Sequence, residues 1–394
     1  MNRLIVLPFA LPFAWGADYE RITATILSED NVVLCFLVGE GYTFRSLLQE
    51  HKYGFLLTHN HSLYIFRPLY VFPFQRIRFI AEINFFFAAI QTRAVCVYLR
   101  QKYRIRQRTV LWMFSLQTAV IPQWFSKRWI KVYDCLDAFI SEVPSLRRLW
   151  QRREQLILRG SRYVFTNTTT LFHRLKHLHP SVYHTPAGFD LDTYRMGNGI
   201  RRVPRDIISI PGPRIGFIGN ISERIDVTLM QKVIQLLPHY AFIFIGPIDN
   251  DYRHQIANTK TPSIHTLTNL PNVFMLGNKP RKLLPSYMRT FSAGITPYNV
   301  RHIFNHFSFP VKTHEYFYMG VPVVATPIPE LKRLVPLIKI AATPKAFAAA
   351  IRECVRATWP RSYRQKQRTL AVSNSWRAKI AYMMSVINHD RIAG

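Results

Sequence analysis

Cysteine is scarce and scattered in this 394-residue chain: Cys35, Cys96, Cys135 and Cys354 stand far apart, with no Cys-x-x-Cys pair. That spacing excludes the dense disulfide framework of small secreted domains and fits reduced thiols in a cytoplasmic protein. Acidic residues are also few, 22 Asp+Glu against 52 Lys+Arg, which leaves a formal charge of +30. Such an excess favours a polyanionic partner, and nucleic acid, an anionic membrane face and phosphorylated substrates all qualify. Long apolar runs are missing too. The nearest approach, 78–99, is broken by Glu82, Gln91 and Arg93, short of the roughly 20 apolar residues a membrane span requires, so no transmembrane helix is expected. Repeats and low-complexity segments do not occur. What remains is a globular composition, 48% apolar and 19% charged, in a chain long enough for two hydrophobic cores.

The positive charge is unevenly spread. Between Arg93 and Arg162 there are 15 Lys+Arg and 4 Asp+Glu, interleaved with Trp124, Phe125, Trp129 and Trp150. Bulky aromatics beside cations suit a lipid headgroup layer or stacking on nucleic-acid bases; a solvated basic surface is the plain alternative. At the start, Asn2-Arg3 followed by Leu4 to Trp15 has the outline of a signal peptide, but Pro8 and Pro12 interrupt it, and a first strand followed by a helix is the preferred reading.

Short apolar runs alternate with helical patterns along the first half. Leu4–Leu7 and Val32–Val38 read as strands flanking a helix over 18–27, and Val110–Phe114, Ile130–Tyr133 and Tyr163–Thr166 as further strands. Ser145–Leu158 reads as a helix with a basic outer face. Gly, Arg and Pro accumulate over Met196–Pro213, which reads as a linker. Beyond it strands are expected at Arg214–Ile218, Phe242–Ile245, Val273–Leu276, Ala293–Thr296 and Val323–Ala325. Helices are expected at Val227–Leu237, Leu284–Thr290, Lys312–Met319 and Ser373–Asn388. Strand–helix units of this kind make a parallel sheet covered on both faces, with ligands at the carboxyl ends of its strands.

The most specific segment runs from Phe309 to Thr326: a Pro-started helix, a glycine stop after Met319, then a short apolar strand. Lys312 and Glu315, three apart near the helix start, can contact a phosphate and a sugar diol while backbone N–H groups hold a diphosphate. A surface ion pair opening an ordinary helix is the competing reading.

This segment is similar to the donor-site motif of group-1 glycosyltransferases of the GT-B fold, where proline, lysine, glutamate and an apolar run ending in Gly-x-Pro-Val-Val recur. The resemblance continues in order through Arg214–Asp226, Phe244–Pro247, Asn272–Gly277 and Ala293–Tyr298. It implies an α/β chain of two Rossmann-like domains with parallel sheets facing an interdomain cleft. Residues 1–205 would form the acceptor domain, 212–370 the donor domain, and 373–390 a helix crossing back to the first domain. The implied activity is a hexosyl or related transfer, of the retaining, bacterial polysaccharide type. Its donor would be a nucleotide sugar and its acceptor a glycan or a lipid-linked molecule at the inner face of the cell membrane.

By the same resemblance Gly219 lets backbone approach the donor phosphates, Arg224 and Lys312 stabilise the departing diphosphate, and Glu315 holds the ribose hydroxyls. Asn220, Gly246, Pro297, Tyr298 and Pro310 complete the donor-binding set. Stabilising a leaving group that accumulates charge is what fixed guanidinium and ammonium groups do well. One departure stands out: many relatives carry a second glutamate eight positions before Glu315, where this chain has Phe307. In the first half, Tyr133-Asp134-Cys135-Leu136-Asp137 resembles a Tyr-Asp-x-x-Asp turn of a bacterial subset of the family. There Asp137 and Asp134 would bind an acceptor hydroxyl or take its proton, or else cap the following turn.

No metal or cofactor is expected beyond the nucleotide sugar as co-substrate. His59 with His61, His173 with His177 and His179, and His302 with His306 lack a nearby Cys or carboxylate of the expected kind. Asp190-Leu191-Asp192 reads as a turn or helix cap, not as a metal clamp. Two other function classes stay open: a non-catalytic nucleotide- or glycan-binding descendant, suggested by Phe307, and a nucleic-acid-binding protein. The second has the charge but no helix-turn-helix, zinc or aromatic RNA-binding signature.

Overall fold

A computed structural model describes residues 3–9, 19–37, 56–70, 72, 78–138, 144–199, 202–248, 264–357 and 359–389. Contacts divide the chain into two compact units, Met1–Thr185 with Ile380–Gly394, and Pro186–Lys379.

The first unit is built on an eight-stranded sheet. Its strands are β1 (Leu4–Phe9), β2 (Val32–Leu37), β3 (Leu56–Thr58), β4 (Leu63–Phe66), β5 (Val110–Met113), β6 (Ile130–Cys135), β7 (Tyr163–Thr166) and β8 (Val182–His184). They lie in the order β3-β4-β2-β1-β5-β6-β7-β8. All pairs are parallel except β3 with β4. Every residue of β1 and β2 is buried, the continuous apolar pattern of strands covered on both faces. The apolar run that resembles a signal peptide therefore supplies a central strand, paired with β2 and β5; its remainder, 10–16, lies outside the described residues. The expected helices appear as Tyr19–Leu27 and Pro144–Gly160. Periodicity does not single out the Arg78–Lys102 helix, whose sequence is apolar around most of its circumference. Among the described residues no helix is long and apolar enough to cross a membrane.

The second unit has a six-stranded, wholly parallel sheet in the order β11-β10-β9-β12-β13-β14. Its strands are β9 (Arg214–Ile218), β10 (Ala241–Ile245), β11 (Val273–Gly277), β12 (Ala293–Thr296), β13 (Val323–Ala325) and β14 (Lys339–Ile340). The chain winds outward from β9 to β11, then returns to the other side of β9 as β12. That reversal opens a crevice outside the carboxyl ends of β9 and β12, where ligands of such sheets bind.

Two expectations need correction. Met196–Pro213 is not an extended linker: the end of the Leu191–Asn198 helix and the whole of the Arg205–Ile208 helix fall within it. Ile207 and Ile210 are buried in the core of the second unit together with Tyr194, so apolar side chains spaced among the Gly and Arg residues anchor the segment. The division between units accordingly falls after Thr185, earlier than residue 205. Asp190 is a helix cap, its carboxylate accepting from the Thr193 N–H at 3.1 Å. At the other end, the Trp376–His389 helix begins in the second unit, where the Trp376 N–H donates to Phe189 O at 3.1 Å. From Ile380 onward it belongs to the first unit, where Asn388 Oδ1 accepts from Arg3 Nε at 3.1 Å.

Candidate functional site

Two glycines shape the crevice at the end of β9. Gly219 and Gly246, each just past its strand, have φ of +132° and +145°, conformations that side-chain-bearing residues rarely adopt. A Cβ on Gly246 would meet the Gly219 carbonyl oxygen at 2.1 Å, and one on Gly219 would meet Lys312 Nζ at 3.0 Å. The two loops are tied by Gly219 N–H donating to Ile245 O at 2.9 Å. The glycines therefore let the two loops and Lys312 pack closely where the sheet reverses, with Gly219 half-buried. Asn220 follows at the surface.

The loop after Asn220 turns back over the sheet. Ile225 bridges Tyr298, and the Asp226 N–H donates to Pro297 O at 2.8 Å, which fixes the loop after β9 to the one after β12. Asp226 then caps the Val227–Leu236 helix through the Leu229 N–H at 2.9 Å. Between these anchors Arg224 is held by a fully buried asparagine. Asn305 Oδ1 accepts from Arg224 Nε at 2.9 Å while Asn305 Nδ2 donates to the Arg224 carbonyl at 3.1 Å. A second guanidinium nitrogen donates to Ser308 Oγ at 2.6 Å, and the group lies 4.8 Å from the centre of the Tyr298 ring.

Lys312 opens the Lys312–Met319 helix, whose start is shaped by Pro310 O accepting from the Thr313 N–H at 2.9 Å. Its ammonium donates to Tyr298 Oη at 3.0 Å and sits 3.7 Å over the Phe217 ring and 4.8 Å over Tyr298. Glu315, one turn on, faces Arg281 at 3.7 Å. Lys312 and Glu315 are each only 7% exposed and do not pair with each other, which removes the surface ion-pair reading. Tyr194 Oη lies near Glu315 without hydrogen-bond geometry.

Burial sets the electrostatics. It pulls the Lys312 ammonium below its ordinary pKa, with Tyr298 pulling back and Arg224 adding like-charge repulsion. It pushes Glu315 upward, against Arg281. Burial would push Tyr298 upward as well, but Lys312 and Arg224 outweigh it and the phenol is depressed. Two cations thus converge on one tyrosine ring, and no carboxylate pairs with either among the described residues. An anion entering beside Gly219 would relieve their repulsion and gain charge-assisted hydrogen bonds.

Several residues of this site carry no readable signal in the sequence. Asn305 and Ser308, which orient Arg224, fall in a stretch without periodicity. Tyr316 Oη, buried at 98 residues' separation from Ile218, accepts from the Ile218 N–H at 3.1 Å and donates to Gly216 O at 3.0 Å, so the Lys312–Met319 helix is pinned to β9. Arg281 reaches Glu315 from a different loop. Phe307 ends the short Ile303–His306 helix, leaving Ser308 to contact Arg224. His314 is buried in the same helix, stacked on Phe309 at 4.6 Å, with neither ring nitrogen hydrogen-bonded; burial pushes its pKa down to about 3.

In the first unit Asp134 lies at the carboxyl end of β6 and is 1% exposed. Asp137, two residues past the strand, is half-buried and accepts from Tyr19 Oη at 3.3 Å. Neither is the N-cap of the next helix, which begins at Pro144. Among the described residues no three His, Cys, Asp or Glu side chains gather as a metal site would need.

Comparison with known proteins extends these geometric findings. Residues 212–357 match the family model described as glycosyl transferases group 1. The putative teichuronic acid biosynthesis glycosyltransferase TuaH of Bacillus subtilis (strain 168) is 24% identical over 268 residues, 64% of this chain and 65% of that protein. The match thus spans somewhat less than two thirds of that relative's length. Two solved structures share the fold end to end. Sucrose-phosphate synthase from Thermosynechococcus elongatus aligns over 100% of both chains with a TM-score of 0.70 at 14% identity. Anabaena HepE in complex with UDP aligns over 99% of this chain and 100% of its own, with a TM-score of 0.68 at 15% identity.

Proposed function

We propose that this chain, which has a GT-B fold and whose residues 212–357 belong to the group 1 glycosyltransferase family, transfers a sugar from a nucleotide donor to a glycan or lipid-linked acceptor. The observation that carries the reading is the convergence of Arg224 and Lys312, without a carboxylate partner, on the ring of Tyr298 beside Gly219. The donor diphosphate lies against the Gly219 and Gly246 backbone, and Glu315 takes the ribose hydroxyls. As the bond between the sugar C1 and the diphosphate oxygen breaks, Arg224 and Lys312 stabilise the charge gathering on the leaving group. The acceptor oxygen forms the new bond to C1 and gives up its proton to a base, the role that the group-1 resemblance gives to Asp137 or Asp134. Cationic side chains supply what a divalent metal supplies elsewhere, so the transfer proceeds without one.

The name of the Bacillus relative supports a place in cell-envelope polysaccharide synthesis, and the UDP held by HepE supports a uridine nucleotide as the first donor to try. Retention at C1 rests on the group-1 resemblance. The cation-rich segment between Arg93 and Arg162 supports peripheral docking at the inner, anionic face of the membrane.

A panel of nucleotide sugars read by thermal shift tests the reading. A bound donor at 100 times its Kd adds about 2.7 kcal/mol of stability. We expect one nucleotide series to stabilise the protein, Lys312→Ala to abolish the shift, and the same donor to be consumed on transfer. Binding without turnover would make the chain a non-catalytic descendant, and no shift with any nucleotide would overturn the site.

A further inference from the structure

We infer that the Arg78–Lys102 helix is an interfacial element whose exposed apolar stripe inserts into an anionic lipid leaflet, lying in the plane of the membrane. The inference rests on the membrane-docking part of the reading above and deepens it, from attraction at a distance to insertion by a named surface.

Phe79, Phe86, Ile90 and Val97 are 71%, 43%, 44% and 55% exposed, and Ile83 is half-buried between them. Their spacing of four, three, four and seven residues puts all five on one line along the helix. The opposite line is Asn84, Ala88, Thr92, Cys96 and Leu99, all buried, and through it the helix packs on β1 and β2. Small side chains at Ala88, Thr92 and Cys96 let the helix sit close to the sheet, which leaves the larger apolar side chains outside. A 25-residue helix with an exposed edge that is apolar from Phe79 to Ile90, and carries Arg93 between Ile90 and Val97, is therefore built into the fold.

Charge identifies the occupant. Arg93 and Arg100 stand on or beside the stripe in the second half of the helix, with Lys102 at its end. Arg93 donates to the carbonyl of Trp124, whose ring packs on Phe86 at 5.2 Å, so the helix is tied to the turn carrying exposed Lys127 and Arg128. A second copy of this chain packed along the stripe would bring Arg93 and Arg100 into the seam against their own like charges. An anionic leaflet complements the charge instead: acyl chains receive the Phe79 to Ile90 half while headgroups meet exposed Arg93, Lys127 and Arg128.

Site-specific fluorescence tests this on the full chain. All four native cysteines are buried, so Ile90→Cys can be labelled selectively with an environment-sensitive dye, with Met196→Cys, 72% exposed in the second unit, as control. Phosphatidylglycerol-containing vesicles should shift the Ile90 label to the blue and expose it to acyl-chain quenchers, leaving the Met196 label unchanged. Ile90→Asp should lower vesicle partitioning about tenfold or more while nucleotide-induced thermal shifts persist. Co-sedimentation with no response at Ile90 would overturn insertion but leave docking standing. Failure to co-sediment at all would remove docking and insertion together, while nucleotide binding would still stand on its own. A concentration-dependent shift without lipid would assign the stripe to a second copy and overturn the inference.

Discussion

In the second unit the connections after β9 and β12 carry the cations Arg224, half-buried, and Lys312, buried, whereas in the first the end of β6 and the turn after it carry the carboxylates Asp134 and Asp137. Both loops stand at the carboxyl ends of parallel strands, and both sheets reverse direction near their middle, at β9 and β12 in one and at β1 and β5 in the other. The backbone scaffold is thus nearly the same, and the chemistry differs because of what each loop holds rigidly. The cationic site is rigid by construction: Asn305 grips Arg224 at both main chain and side chain, and Tyr316 pins the helix of Lys312 to β9. At the carboxylate site Tyr19 Oη donates to Asp137 at 3.3 Å.

The comparison can be broken most forcefully at Gly246. Gly246→Ala places a Cβ 2.1 Å from the Gly219 carbonyl on top of an unfavourable φ, and we expect a loss of about 3 kcal/mol or more, read by denaturant unfolding of the full chain. A loss under about 1 kcal/mol would mean the loop can relax and that backbone approach there is not built in. Next in size, Arg224→Ala or Lys312→Ala should lower kcat/KM by about 100-fold, near 2.7 kcal/mol, with vesicle binding by the first unit unchanged. Full activity in both variants would end the distinction between the two loops. On the other side of the comparison, Lys127→Glu with Arg128→Glu should weaken binding to anionic vesicles by about 1 kcal/mol or more per cation, increasingly masked as salt rises, and leave nucleotide binding intact. Equal binding of the variant and the parent protein would return this surface to a merely solvated one.

A further effect, confined to acid, separates the units by pH. The His314 pKa is held near 3 in the folded protein against an ordinary 6.5, so the unfolded chain takes up the proton first as pH falls. Stability contributed by the neutral, buried ring is complete above about pH 6.5 and is lost between there and about pH 3, at up to about 1.4 kcal/mol per pH unit. His314→Phe should flatten that slope in acid unfolding monitored in the second unit; an unchanged slope would show that another group titrates. The smallest expected effect is none: EDTA should leave the transfer rate unaltered if Arg224 and Lys312 face the diphosphate as proposed. Activity lost in EDTA and restored by Mg²⁺ or Mn²⁺ would show that the cationic loop is not sufficient.

Much of the second unit is legible residue by residue. Arg214–Ile218, Ala293–Thr296, Lys312–Met319 and Val323–Ala325 are elements with the expected bounds, because each is a short apolar or Pro-started, Gly-stopped segment whose local signal agrees with its packing. Lys312, Glu315, Arg224 and Gly219 are likewise singled out by motif. The Arg78–Lys102 helix is less visible, since a helix apolar on its packed and its exposed edge has no clear polar face to mark it. The stretch over 196–213 misleads for the opposite reason: Gly, Arg and Pro dominate its composition, while Ile207 and Ile210 alone decide its place in the core.

By itself the sequence determined the alternation of strand and helix, the positive charge, and the candidate residues for donor binding, since these depend on local pattern and on residue chemistry. Only the tertiary structure decided that Lys312 and Glu315 are buried apart rather than paired at the surface, that Asn305 and Ser308 aim Arg224, and that Phe79, Phe86, Ile90 and Val97 stay exposed. Each of those facts depends on which side chains from distant segments come within a few ångströms, as Arg224 with Asn305 or Ile218 with Tyr316 do. Such meetings follow from the winding of the whole sheet and leave no periodicity in the local sequence.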